Sequence, residues 1–177
     1  MDKTAKAVIS RIYLLKRIRP YITQQTALVF YKSIIQGQFD YCDVVWDNCS
    51  KTYIDKLQKL QNRALRTVLN VKWRYPTQLI YDQLSDQILE IRQQHRISHI
   101  MYKIAHRLYP EALCQRFQFK YSTYNFRRTL MKFESCKFLT NFKRRSLQYR
   151  GVKEWNEIPD YIKIMSFDTF KSHLDPA

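Results

Sequence analysis

Apolar residues recur at the helical period through the first part of the chain. From Thr4 to about Arg19 the apolar positions fall on one side at 100° per residue, with basic residues opposite. Pro20 ends this helix because it disfavours the helical conformation in the residue before it. Thr23 is an N-cap candidate for a second helix, which Gly37 loosens at its end. The predicted buried stripes are Ala5, Val8, Ile12 and Leu15 in the first helix and Leu28, Tyr31 and Ile35 in the second.

Two longer helices are predicted further along. Ser50 caps a third helix, from Lys51 to about Leu69, and Ser85 opens the longest one, which runs to about Leu108. Between the second and third helices, residues 39–46 are aromatic and β-branched, which fits either an extended segment or a bent helix. The predicted core positions are Ile54, Leu57, Ala64, Leu65 and Val68 in the third helix and Ile97, Ile100, Met101, Ile104 and Leu108 in the longest.

Residues 116–153, here called the basic tract, have a different character. The tract holds eleven Lys or Arg residues against one acid, Glu134, with aromatic residues interleaved. Because no 3.6-residue period persists, loops and short strands are predicted there. Ser166 then caps a last short helix. The sequence therefore predicts a mainly α protein: a helical bundle over residues 1–109, then a basic, aromatic-rich region over residues 110–177 with short strands or loops and a final short helix.

Composition supports a folded helical chain with a polyanionic partner. Of the 177 residues, 45% are hydrophobic, and the scarcity of glycine, 2 in all, suits long helices. The net charge of +16 favours nucleic acid. A membrane is disfavoured as a partner because no stretch approaches the ~20 apolar residues of a spanning helix. The four cysteines lack a close-paired framework and the N-terminus lacks signal-peptide features, so an intracellular chain with reduced thiols is expected.

Catalytic and metal motifs are weak throughout the sequence. There is no adjacent acid pair, and the grouping Asp40, Asp43 and Asp47 fits a solvated edge better than a two-metal centre. His95, His99 and His106 share a helical face, which fits packing on aromatic residues better than zinc binding. Two isolated glycines cannot form a phosphate loop, and no hydrolase motif surrounds any nucleophile. No catalytic residue, metal site or cofactor is therefore expected.

One segment carries a family resemblance. The run Phe39 to Arg66 resembles the segment after the palm of Jockey-like non-LTR retrotransposon reverse transcriptases, a YC-x3-W run followed by KLQ-x2-QNRA-x-R. Three further pieces, in the family's order, are similar to its first post-palm helices, its HR...MYKI helix and its closing RG...WN-x-IP...SF pattern. The similarity covers nearly the whole chain. The matching residues are Tyr41, Cys42, Trp46, Leu57, Gln58, Gln61, Asn62, Arg63, Ala64 and Arg66.

The resemblance implies a part of a polymerase rather than a whole one. In that family the palm holds Mg²⁺ with aspartates, and those aspartates are missing here. The chain would then be a thumb and post-thumb fragment, not an enzyme on its own, that grips RNA, DNA or an RNA–DNA hybrid in the nucleus. An N-terminal Met directly before thumb sequence indicates a truncated element or a partial gene model. The alternatives are a free-standing domesticated RNA- or DNA-binding protein and a protein-interaction module without nucleic-acid binding.

Basic side chains are the candidate binding residues. The role that the resemblance implies does not depend on the nucleotide sequence, so phosphate groups are the expected targets of these side chains. Arg63 and Arg66 could instead form salt bridges inside the bundle, and the tract's basic residues could simply be a solubilising face. Its aromatic residues fit a core better than base stacking. The candidates are Lys3, Lys6 and Arg17 in the first helix, Lys59, Arg63 and Arg66 in the third, and Arg127, Arg128, Lys143, Arg144 and Arg145 in the basic tract.

Overall fold

The structure, a computed structural model, is mainly helical, which confirms the predicted fold class. It describes residues 2–41, 51–84, 86–120, 131–135 and 140–174. Backbone contacts divide the chain into two compact units, residues 1–89 and residues 90–177, here called unit 1 and unit 2. The division lies about twenty residues before the boundary expected at Tyr109 and Pro110.

Unit 1 is built from helices of several lengths. A 3-10 turn, Arg19–Tyr21, follows the first helix, and a π-helical segment, Tyr31–Gln36, joins the second to the third. The α-helices are α1 (Asp2–Ile18), α2 (Gln24–Phe30), α3 (Gly37–Asp40), α4 (Lys51–Leu69) and α5 (Thr77–Leu84).

Most helix boundaries in unit 1 follow the sequence signals. Thr23 caps α2 as predicted, since its side-chain oxygen accepts a hydrogen bond of 3.2 Å from the backbone N–H of Thr26. Gly37 does not loosen the chain, because α3 continues the helix through it to Asp40. The third predicted helix has the observed bounds of α4, whereas its expected cap, Ser50, lies outside the described residues.

Helices α1 and α4 run parallel and pack closely. Arg19, just after α1, donates from Nε to the carbonyl of Val68 near the end of α4, at 2.9 Å. One helical turn or two earlier, the guanidinium of Arg63 lies over the ring of Tyr13, 5.0 Å from its centroid. The two contacting residues are separated by nearly the same number of residues in both contacts. Moving along α1 therefore means moving the same way along α4, so the helices are parallel. The buried core of this pair includes Val8, Ile12, Leu15, Leu57, Leu65 and Val68.

The helix predicted from Ser85 to Leu108 is shorter than its predicted range, so that prediction was wrong in its bounds. A separate helix, α5, precedes it, and α6 spans only Leu89–Ala105. Arg107 adopts a left-handed φ of 54°, and the N–H of Leu108 bonds to the carbonyl of Lys103 at 2.8 Å. This geometry closes a helix end. Leu108 is consequently 64% exposed rather than buried.

Unit 2 surrounds a cluster of aromatic side chains. Trp155 is fully buried, and its indole N–H donates to the carbonyl of Met131 at 2.7 Å. Tyr102 of α6 packs on Trp155 and Phe170, which explains why most of α6 belongs with the C-terminal part. The further helices are α7 (Glu111–Cys114), α8 (Asn141–Arg144), α9 (Leu147–Glu157), α10 (Asp160–Lys163) and α11 (Phe167–Leu174).

The basic tract is only partly irregular. Phe119 and Phe133 form an isolated antiparallel bridge, in keeping with the expected short extended segments. The tract's last residues, however, lie in α9, so the prediction of loops and strands was wrong there. The final short helix is confirmed as α11, and Ser166 caps it through its hydroxyl oxygen, which accepts from the N–H of Thr169 at 3.4 Å.

Candidate nucleic-acid interface

Helix α1 presents a basic face opposite its core face. Lys3, Lys6 and Arg17 are exposed, whereas Val8 and Ile12 on the other side are fully or almost fully buried. Fourteen residues separate Lys3 from Arg17, about 21 Å along the helix axis at 1.5 Å per residue. Within the described residues, the two lysines form no ion pair that would neutralise them. The face is therefore a row of available positive charge.

Helix α4 carries the second half of the same surface. Lys59 and Arg63 are exposed and lie one turn apart on the side away from the buried Leu57 and Leu65. Because Arg63 reaches Tyr13 on α1, the basic faces of the two parallel helices meet at this contact. The basic face of unit 1 is defined here by Lys3, Lys6, Arg17, Lys59 and Arg63.

The contact between Tyr13 and Arg63 is electrostatically distinctive. Hydrogen bonding by Arg63 and its positive charge lower the pKa of the Tyr13 hydroxyl, with a smaller contribution from Lys16. Tyr13 itself is 56% exposed. The charges of Arg63 and Lys16 beside this hydroxyl make the local potential positive at the seam between α1 and α4. Such a potential attracts phosphate groups.

Arg66 forms hydrogen bonds within unit 1 and does not belong to the exposed basic face. Its guanidinium donates to the carbonyl of Tyr75 at 3.2 Å and to the hydroxyl of Thr77 at 2.8 Å. The alternative of a contact inside the bundle therefore fits Arg66, although its acceptors are neutral and no salt bridge is involved. Arg66 anchors the loop between α4 and α5 to the end of α4.

The glutamine and asparagine residues of the family-like motif form a buried network. Gln61 is fully buried and donates from Nε2 to the hydroxyl of Tyr31 at 3.2 Å and to the carbonyl of Gln87 at 3.0 Å. Gln58 donates to the hydroxyl of Tyr81 at 2.6 Å, and that hydroxyl in turn bonds to Asn62. Gln58 also accepts from the N–H of Leu89 at 2.9 Å. These residues fix the fold of unit 1 and leave the basic side chains to face outward.

The basic tract contributes a second exposed set in unit 2. Lys143 and Arg144 at the end of α8 and Arg145 directly after it are all exposed. Arg127 and Arg128 lie outside the described residues. Among the described aromatic residues of the tract, Phe117 and Phe133 are buried, and Phe119 stacks on Phe133 at 4.7 Å. Phe117 and Phe133 are therefore core residues, as the sequence favoured, and Phe119, which packs against Phe133, is partly buried.

Two histidines, His99 in α6 and His106 directly after it, pack against aromatic rings. His99 lies edge-on to Phe167 at 5.8 Å, and His106 stacks on Tyr102 at 4.1 Å. Nε2 of His106 is 2.9 Å from the carbonyl oxygen of Lys163. Among the residues that the structure describes, no cluster of three or more His, Cys, Asp or Glu residues could hold a metal ion. Asp43 and Asp47 lie outside those residues.

A simple signal in the sequence marks unit 1 as basic, although it is not a motif. No Asp or Glu occurs between Asp2 and Asp40, nor between Asp55 and Asp82. These two acid-free segments contain nearly all of α1 and most of α4. The local net charge along the sequence reveals the basic tract. The distance between successive acidic residues also reveals α1 and α4, the two helices that pack together.

Comparisons with known proteins give no assignment. No family model, no curated protein and no solved structure matches the chain significantly. Across the described part of the chain, every helix is too short or too polar to traverse a bilayer.

Proposed function

We propose that this chain is the thumb and post-thumb part of a non-LTR retrotransposon reverse transcriptase and binds nucleic acid through phosphate contacts. The observation that carries the proposal is the basic face of unit 1, which combines Lys3, Lys6 and Arg17 with Lys59 and Arg63 on two parallel helices. Its length of about 21 Å corresponds to about six base pairs at 3.4 Å per pair. Exposed lysines and arginines without paired acids suit phosphates better than base edges.

The proposed role is to hold nucleic acid without reacting with it. The family-like motif supports this division, because its amides are used in the buried network and its exposed cations remain for binding. On this proposal the partner is RNA, DNA or an RNA–DNA hybrid, and the place of action is the nucleus. In a full-length element the palm would supply Mg²⁺ and the aspartates of catalysis. The chain alone is then expected to bind template–primer and to add no nucleotides.

A binding titration tests this proposal. A fluorescent RNA–DNA hybrid of about 20 base pairs is titrated with the chain at low and at physiological salt, with an unrelated sequence as competitor. Binding that weakens steeply with salt and competes equally with either sequence is expected, because counterions are released from phosphates. Absence of binding at low salt, or an affinity that ignores salt, would contradict the proposal and favour a protein-interaction module.

A further inference from the structure

The loop between α4 and α5 displays a tryptophan to solvent. Trp73 is 77% exposed, although an indole usually lies in a core or an interface. Lys72 and Arg74 on either side of it are exposed as well. The guanidinium of Arg74 lies 5.2 Å from the centroid of the Trp73 ring. A flat ring between two cations is the combination that stacks an unpaired base and neutralises its phosphates.

Hydrogen bonds hold this loop in one conformation. Asn70 ends α4 with a left-handed φ of 56°, and the N–H of Val71 bonds to the carbonyl of Arg66 at 3.1 Å. The N–H of Tyr75 then closes a turn onto the carbonyl of Lys72 at 3.0 Å. The side chain of Arg66 fixes the far end of this turn at Tyr75 and Thr77.

Trp73 lies at the apex of this turn. The residues around it favour an anionic partner. Trp73 is the second residue of the turn from Lys72 to Tyr75, so little ordering of the loop is needed when a ligand binds. The loop belongs to the acid-free segment between Asp55 and Asp82, which also carries the cations of α4. No carboxylate of this segment therefore stands beside the ring to repel a polyanion.

We infer that Trp73 is a stacking platform for one unpaired base of a single-stranded segment, with Lys72 and Arg74 contacting the adjacent phosphates. The inference rests on the proposed function, since it names which part of a bound nucleic acid this loop takes. It adds a preference that phosphate contacts alone would not give. A duplex without unpaired bases offers no free base face to the ring, whereas single-stranded RNA or a duplex with an overhang does.

Affinity measurements on two probes separate this role from general binding. The probes are a labelled 12-nucleotide oligo(U) and a blunt-ended RNA–DNA hybrid, and the variants are Trp73→Ala and the control Tyr161→Ala, which removes another exposed aromatic ring. Trp73→Ala should weaken oligo(U) binding by about 5- to 150-fold, the range for losing one base–aromatic stack. Binding of the blunt hybrid should change less than about twofold, and Tyr161→Ala should affect neither probe.

Each result bears on a different statement. Unchanged oligo(U) affinity in Trp73→Ala, with wild-type binding intact, overturns the inference and leaves the proposed function standing; a protein-docking tryptophan would behave this way. An equal loss on both probes also overturns it. Failure of the wild-type chain to bind either probe at low salt removes the proposed function itself. Quenching by oligo(U) that is present in wild type and absent in Trp73→Phe would localise the stack to this ring.

Discussion

At the scale of single residues, buried polar groups decide which members of the family-like motif build the fold. Gln61 is the clearest case, because it is fully buried and both of its amide hydrogens have acceptors. Gln58 joins α4 to α5 through Tyr81 and to the start of α6 through the N–H of Leu89. Removing one member of such a network takes a donor or an acceptor away from each of its partners, which destabilises the fold.

Substituting Gln61 by Leu tests this network. The change keeps the size of the side chain but removes the amide that donates to the Tyr31 hydroxyl and to the Gln87 carbonyl. We expect the free energy of unfolding to fall by about 1–3 kcal/mol. Gln78→Leu, at an exposed position of α5, is the control and should stay within about 0.5 kcal/mol of wild type. Urea unfolding followed by circular dichroism gives both values, and equal stability of the two variants would argue against the network.

Lys163 provides a residue-scale prediction on pH. Its side chain is fully buried, with Nζ 3.1 Å from Asp160 and 5.5 Å from the centroid of the Trp155 ring. Burial lowers the pKa of Lys163 below its ordinary value of 10.5, although Asp160 opposes the shift. Between the lowered pKa and the ordinary one, the unfolded chain binds more protons than the folded chain. Stability from this group therefore rises as pH increases through that interval.

Comparison with Lys163→Met isolates this dependence. From pH 8 to 10.5, wild type should gain stability relative to the variant. In wild type the folded chain releases the Lys163 proton at lower pH than the unfolded chain does, whereas the variant has no ammonium group at this position. Urea unfolding at several pH values measures the difference in the free energy of unfolding between the two proteins. The contributions of tyrosines and cysteines, which both proteins share, largely cancel in that difference. A difference that stays constant across this range would show that the pKa of Lys163 is the same in both states.

At the scale of elements, close approach between helices depends on a single glycine. A Cβ atom at Gly151 of α9 would lie 2.8 Å from Sδ of Met101 on α6, and Met101 is fully buried. The buried Gly151 therefore permits the contact between these two helices in unit 2. Gly37 differs, since a Cβ atom there meets nothing within 4 Å. The same substitution should consequently have opposite effects at the two positions.

Alanine at each glycine gives a matched pair of variants. Gly37→Ala should raise the free energy of unfolding by about 0.5–1 kcal/mol, because alanine is the better helix former and the site is open. Gly151→Ala gains the same propensity but overpacks against Met101, which typically costs about 1–3 kcal/mol, so a net loss is expected. Thermal and urea unfolding measure both. Stabilisation by Gly151→Ala would mean that Met101 can move aside freely.

At the scale of the whole molecule, the sequence predicted the class and many boundaries but not the tertiary roles. The period of apolar residues located α1 and α4, and the caps at Thr23 and Ser166 are confirmed, because these signals are local. The acceptors of Arg66 and the exposure of Trp73 were not foreseen, since both depend on how the loop after α4 folds. The period of apolar residues along the chain predicts neither feature.

The compact units divide the chain earlier than the predicted boundary for a related reason. Pro110 marks a local break in the helical pattern, whereas the units are defined by which residues pack together. Tyr102 and Met101 on α6 pack with residues of α9 and α11, so the contacts divide the chain before most of α6 and not after it. Aromatic residues of the basic tract, such as Phe133, complete that core, and Lys143, Arg144 and Arg145 of the tract are exposed.

The salt dependence of binding tests the central claim, that the basic face of unit 1 contacts phosphates, most directly. The slope of log affinity against log salt is measured on the RNA–DNA hybrid for wild type, for Lys59→Gln with Arg63→Gln, and for Lys32→Gln with Lys171→Gln, an exposed pair elsewhere with the same loss of charge. The first pair should make the slope shallower by about 1–2, and the control pair should leave it unchanged. Equal slopes for all three proteins would contradict the account.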